Sequence, residues 1–374
     1  MSLSKTHLYL FCLLRNELWG TPIHEPQLTE KEYTGLLEET WRQGVFGLTA
    51  QALVNGDILI GQDNVIELLG GLQQIAEQNS LVTDELKRFA IKIAEAGKDY
   101  IVVKGQTIGI LYPHSQLRMA GDVDFFFPDK NYKENRKLLK SLFDADLPTE
   151  APHKEVGFDI NNIHFELHQN LAVLSNPLHN YRWKKYLKVA VKDDYCVEMD
   201  GMKVKTLSPT TNVVYTFYHL FNHFIKEGIG IRQLVDLAVM LHAYHDEINK
   251  GELERMLRKL GLYRVFRAFG SILMDYIGLC ETDFPFKLKE KDRKKELLML
   301  EDVLYKGNFA MNVRENDLSP LRYKVETFKL MFHQIRNFFS LAPAELLFFM
   351  PRRLNGDLCV LRNKMVSLFR GHEE

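Results

Sequence analysis

The run Gly121-Asp122-Val123-Asp124-Phe125-Phe126-Phe127 alternates with the two-residue period of a β-strand. Val123, Phe125 and Phe127 fall on one face, and Asp122, Asp124 and Phe126 on the other. Two carboxylates therefore project side by side, their Cα atoms roughly 6.5 Å apart. Left uncompensated they repel, and one tends to take up a proton; a divalent cation removes that cost. An all-oxygen donor set favours a hard ion, Mg²⁺ or Mn²⁺, over zinc. A strand end bearing two solvated aspartates is the plainer reading of such a pair, so the surrounding sequence has to choose between them.

A second alternating run, Ile163-His164-Phe165-Glu166-Leu167-His168, turns Ile163, Phe165 and Leu167 to a core and His164, Glu166 and His168 to a polar face. Glu166 can thus supply a third carboxylate from a neighbouring strand. Three such groups suit two metal ions about 3.5–4 Å apart, the arrangement that clamps the attacking and leaving oxygens of a phosphoryl displacement. Upstream, the β-branched run Tyr100-Ile101-Val102-Val103 stops at Lys104-Gly105-Gln106-Thr107 and gives way to a helical pattern. That turn offers backbone N–H groups and a cation to anionic oxygens, and Gly105 permits close approach. Arg118 adds a second cation, unless an acid claims it structurally.

Further outward, Asn161-Asn162 and Asp200-Gly201 read as hairpin turns. They join 153–160 to 163–168 and 196–199 to 202–207, and the spacing of Leu138, Leu139, Leu142 and Phe143 predicts a helix between the strands. The first hundred residues read as helices: Thr29 and Glu32 form a capping box, and Asp63 is placed to cap a long helix ending at Gly97. After Ser208-Pro209, suited to N-cap and first helical position, helical patterns continue to the end. The expected architecture is α+β, a mixed sheet at 98–207 flanked by helical regions at 1–97 and 208–374.

The chain has 374 residues, 46% hydrophobic and 26% charged, which excludes collagen-like and wholly disordered classes. Lys+Arg 48 against Asp+Glu 49 leaves a net charge of −1, so long nucleic acid is not a favoured partner. Cys12, Cys196, Cys280 and Cys359 are scattered, without zinc-ligand spacing or a disulfide framework. The apolar stretches 8–14 and 338–350 are too short to span a bilayer, and the first lacks a cleavage site. The expected location is the cytoplasm.

Val103-Lys104-Gly105, Leu111-Tyr112-Pro113, Leu117-Arg118 and Gly121-Asp122-Val123-Asp124 together resemble the signature of the bacterial "uncharacterised nucleotidyltransferase" family, within the DNA polymerase β-like superfamily. Glu166-Leu167-His168 resembles its third-carboxylate strand. Leu207-Ser208-Pro209, the helix bearing His219 and His223, and the segment from Arg232 to Leu241 with Asp236 resemble its downstream part. The resemblance runs from about Leu36 to Leu241. It implies a polymerase β-like sheet and transfer of a nucleoside monophosphate from an NTP to an acceptor hydroxyl, with Mg²⁺ or Mn²⁺ as cofactor and pyrophosphate released. Asp122 and Asp124 would hold the metals, Glu166 would bind the metal nearer the acceptor and orient or deprotonate its hydroxyl, and Lys104, Gly105 and Arg118 would receive the triphosphate. Lys104-Gly105 departs from the Gly-Ser that many members of the superfamily carry there.

Alternatives come from the same residues. His164, Glu166 and His168 read as a His-Glu-His metal set would recast the site as a metal-dependent phosphohydrolase, although alternate side chains on a strand splay and no further Cys or His completes the shell. A noncatalytic nucleotide-binding interaction protein is the second alternative. His219 and His223 stand i, i+4 on a helix without the glutamate of HExxH, and Arg232 and Asp236, also i, i+4, suit an intrahelical ion pair. The aromatic stretch 328–350, followed by Arg352 and Arg353, reads as packing or as a docking face.

Overall fold

The computed structural model describes residues 3–352 except 25–27, 59, 120, 130, 146, 148–154 and 308–319; His153, Arg353 and Cys359 lie outside the described residues. Four helices open the chain: α1 (Lys5–Trp19), α2 (Glu30–Arg42), α3 (Phe46–Asn55) and α4 (Gln62–Glu95). The capping box at α2 is formed as expected, Thr29 accepting from the Glu32 N–H while the Glu32 carboxylate accepts from the Thr29 N–H at 2.7 Å. Asp63 lies within the first turn of α4, behind an N-cap at Gly61, and α4 stops before Gly97, whose φ of 66° ends it.

The middle of the chain holds β1 (Ile101–Val103), α5 (Gly105–Gly109), β2 (Val123–Phe126), α6 (Tyr132–Phe143), β3 (Glu155–Ile160) and β4 (Ile163–His168), then α7 (Pro177–Ala190), β5 (Cys196–Met199) and β6 (Met202–Lys205). Strands β1–β4 form one sheet in the order β1-β2-β4-β3, with β2 and β4 parallel and the other neighbours antiparallel. Both expected hairpin turns are present with positive φ, 49° and 65° at Asn161-Asn162 and 44° and 79° at Asp200-Gly201. Among the described residues the second hairpin pairs only with itself, so β5 and β6 form a two-stranded ribbon outside the main sheet.

After it come α8 (Pro209–Lys226), α9 (Ile231–Ala243), α10 (Lys250–Lys259), α11 (Tyr263–Ile272), a π-helical turn (Leu273–Ile277), α12 (Glu296–Lys306), α13 (Pro320–Phe338) and a helix at 343–352. Among the described residues no helix is long and apolar enough to cross a membrane.

Strand β2 separates two cores. Val123 and Phe125, with Phe127 just beyond them, join Phe89 of α4, Leu139 of α6, Phe158 of β3 and Phe165 of β4 on one side. Phe126, on the acid-bearing face, joins the larger core, in which α1, α8, α9 and α11 all take part. Helices from both ends of the chain share that larger core; Phe11 of α1 packs on Tyr276, ring centroids 5.5 Å apart, and the Trp19 indole N–H donates to the Ile277 carbonyl at 2.7 Å.

Candidate active site

Parallel pairing sets Asp124 of β2 opposite Glu166 of β4, while antiparallel pairing sets it opposite Val103, the last residue of β1. One stretch of sheet therefore gathers the two acids and the residue that follows β1. That residue is Lys104, and its Nζ donates to Asp124 Oδ1 at 2.9 Å. His168, two positions beyond Glu166 and so on the same face, donates a short hydrogen bond from Nε2 to the same oxygen. Its Nε2 also stands 3.8 Å from Glu166 Oε2. One donor atom each from Asp124, Glu166 and His168 fall within 4.8 Å of one another. Asp124 is buried, at 2% exposure, whereas Asp122 and Glu166 are half-buried at the rim.

The charges act on one another. Burial pushes the Asp124 carboxyl up, but the Lys104 ammonium and His168 outweigh it and hold the carboxyl down at about 2. Glu166 goes the other way: burial, then the like charges of Asp122, Asp124 and Glu155, push it up to about 7 against a partial pull from His168. Burial disfavours the Lys104 ammonium, yet Asp124 chiefly keeps it above a lysine's ordinary value. Charges of the cluster also reach α8. Tyr215 is raised by burial and by Asp124, Glu155 and Glu166, against Lys104, and His219 is lowered by burial and then by Lys104, His223 and His168. A divalent cation fits this donor set, because the repulsion that raises Glu166 is what such an ion cancels and the carboxylate oxygens are hard ligands.

The turn after β1 is tight. Lys104 has φ 56° and ψ −148°, and Gly105 has φ 45°. A β-carbon on Gly105 would lie 3.2 Å from the Asp122 carbonyl oxygen, so the turn is laid closely over the start of β2. Thr107 fixes it from the other side, donating to the Lys104 carbonyl from its N–H at 3.0 Å and from Oγ1 at 2.8 Å.

Arg118 is 5% exposed and committed to Asp236 of α9, Nε to Oδ1 at 2.8 Å and Nη2 to Oδ2 at 2.9 Å, while Tyr112 Oη donates to Asp236 Oδ1 at 2.6 Å. Among the described residues its buried Nη1 finds no hydrogen-bond partner. Asp236 thus pairs across the chain; its helical neighbour Arg232 donates to the Met119 carbonyl at 2.8 Å. His164 lies at the exposed side of β4, its Nδ1 2.7 Å from Asp159 Oδ1. His219 and His223 are neighbours on α8, ring centroids 4.4 Å apart. The alternation of β4 places His168 beside Glu166, yet nothing in it shows that Asp124 is its partner. Tyr215 carries no motif and is found only from the fold.

The sequence model of a family described as "Uncharacterised nucleotidyltransferase" matches residues 30–274, well over half of the chain. The chain belongs to that family. Among curated proteins none matches it. A solved structure, an antigenic nucleotidyltransferase-like protein from Paracoccidioides brasiliensis, is similar over 55% of this chain and 95% of its own at 16% identity, with a TM-score of 0.32, too distant to inform the site. The family match spans α2 through α11, and so takes in every residue of this nucleotidyltransferase-family chain that gathers around Asp124.

Proposed function

We propose that the chain moves a nucleoside monophosphate from a nucleoside triphosphate to a hydroxyl acceptor and releases pyrophosphate, with Mg²⁺ or Mn²⁺ held by Asp122, Asp124 and Glu166. What supports this is the parallel register that sets Asp124 opposite Glu166, with Asp122 near enough to help raise Glu166. When bound, a divalent ion supplies charge neutralisation for the acids and for the phosphoryl group in transfer. The chain's own residues work by position and charge. Lys104 and the backbone N–H groups of the turn at Gly105 receive the polyphosphate.

Glu166 takes the proton of the acceptor hydroxyl as the acceptor oxygen bonds to the α-phosphorus. The bond from that phosphorus to the bridging oxygen breaks, and its electron pair leaves with pyrophosphate.

The test is to incubate the purified chain with α-labelled NTPs, Mg²⁺ or Mn²⁺, and fractionated small-molecule, protein and RNA acceptors. Asp122→Asn and Glu166→Gln should each lower label transfer by at least about a hundredfold, the order seen when one transition-state partner is removed, without lowering the melting temperature, because both side chains are half-buried and each substitution removes a like-charge repulsion. Undiminished transfer by either variant removes that residue's role. Wild-type release of free monophosphate and pyrophosphate to water alone, with no acceptor labelled, would make the chain a phosphohydrolase.

A further inference from the structure

Lys104 holds a backbone conformation, φ 56° and ψ −148°, that glycine adopts freely and a residue with a β-carbon adopts only at about 1–3 kcal/mol. A glycine would be the undemanding choice, as it is one residue on. The chain instead carries a lysine whose side chain turns over β2, is 14% exposed, and reaches Asp124 Oδ1 at 2.9 Å. His168 takes the same carboxylate oxygen. Among the described residues, Lys104 is the one lysine or arginine that ion-pairs with Asp122, Asp124 or Glu166.

We propose that Lys104 is a tethered counter-ion. In the resting site its ammonium stands on Asp124 where a divalent cation has to bind, and the cation displaces it toward the polyphosphate. This rests on the reading of the three acids as cation ligands, and adds an order to it. Free cation binds weakly while the ammonium has nowhere else to go, and tightly once an anionic ligand can receive it. The strained turn keeps the charge at the one position from which it reaches both places.

The measurement is Mn²⁺ binding without nucleotide, followed by loss of the free-ion electron paramagnetic resonance signal. Wild type is compared with Lys104→Gly, which suits the backbone; Lys104→Met, which keeps the side-chain bulk; Lys104→Arg, which keeps the charge; and Lys226→Gln, which removes a cation whose field also reaches His219. The Gly and Met variants should bind Mn²⁺ at least about tenfold more tightly than wild type, since one close unit charge in a half-buried site amounts to that much or more. Lys104→Arg and Lys226→Gln should stay within about threefold of wild type, the Coulomb effect of a displaced or distant charge being smaller.

Equal or weaker binding by both neutral variants overturns the inference, and so does an equal gain in Lys226→Gln. If no chain binds Mn²⁺, the cation site and the inference fall together. If the neutral variants bind more tightly but Asp122→Asn still transfers label, the counter-ion stands and nucleotidyl transfer by these acids does not.

Discussion

At the scale of single residues, the charges of this molecule are paired across long stretches of chain. Arg118 and Asp236, both buried, are bidentate partners 118 positions apart. Asp236→Asn leaves a buried guanidinium without its counter-charge and is expected to cost about 3–5 kcal/mol of unfolding free energy. Arg118→Met combined with Asp236→Asn should recover much of that loss, and chemical denaturation of the two single variants and the double variant measures it. The same logic bears on Asp124. As an exposed strand end it would accept asparagine quietly, but its burial between Lys104 and His168 makes Asp124→Asn a folding variant as well as a site variant. The alternation of 121–127 shows which way Asp124 points. It is silent about depth, because a polar residue on a covered face and one on an open face occupy the same positions in a strand pattern.

At the scale of elements, α8 links acid stability to the site. Burial lowers His223 to about 4 and carries His219 well below its ordinary value. Below pH 6.5 the unfolded chain takes up these protons first, so each histidine subtracts stability as the pH falls, for His223 down to about pH 4, by up to about 1.4 kcal/mol per pH unit. Glu166 has the opposite sign: raised to about 7, it binds its proton first in the folded chain, which gains stability between about pH 7 and 4.5. The difference between wild type and His223→Gln isolates the histidine. Urea midpoints from pH 7 to 4.5 should fall more steeply in wild type, and parallel curves would exclude His223.

The elements themselves were mostly legible, because Asn-Asn and Asp-Gly force hairpin turns and the β-branched and phenylalanine runs keep a strict period of two. Helix α7 was not legible: only His179, Trp183, Leu187 and Ala190 are buried in a lysine-rich stretch set between strands, too sparse an apolar stripe to announce itself. Nor does a strand pattern name its partners, so the separation of the β5–β6 ribbon from the main sheet and the in-register pairing of β2 with β4 emerge only in three dimensions.

At the scale of the whole molecule, the last described helix is tied to the loop after β4. Glu345, 1% exposed, accepts from the Ser175 N–H, from the Asn176 N–H at 3.2 Å and from His179 Nδ1 at 3.0 Å. It thereby satisfies backbone donors at the start of α7 that would otherwise be buried without partners. Glu345→Ala should lower the unfolding free energy by about 3 kcal/mol; calorimetry showing an unchanged melting temperature would mean that helix 343–352 contributes nothing to the hold on α7. Parallel pairing of β2 with β4 has a consequence in time. Asp124 and His168 are 44 residues apart, and everything between them must be synthesised and the β3–β4 hairpin docked before they meet. A ribosome-bound chain released too early would display two aspartates on an open edge, and nothing for an ion to settle into.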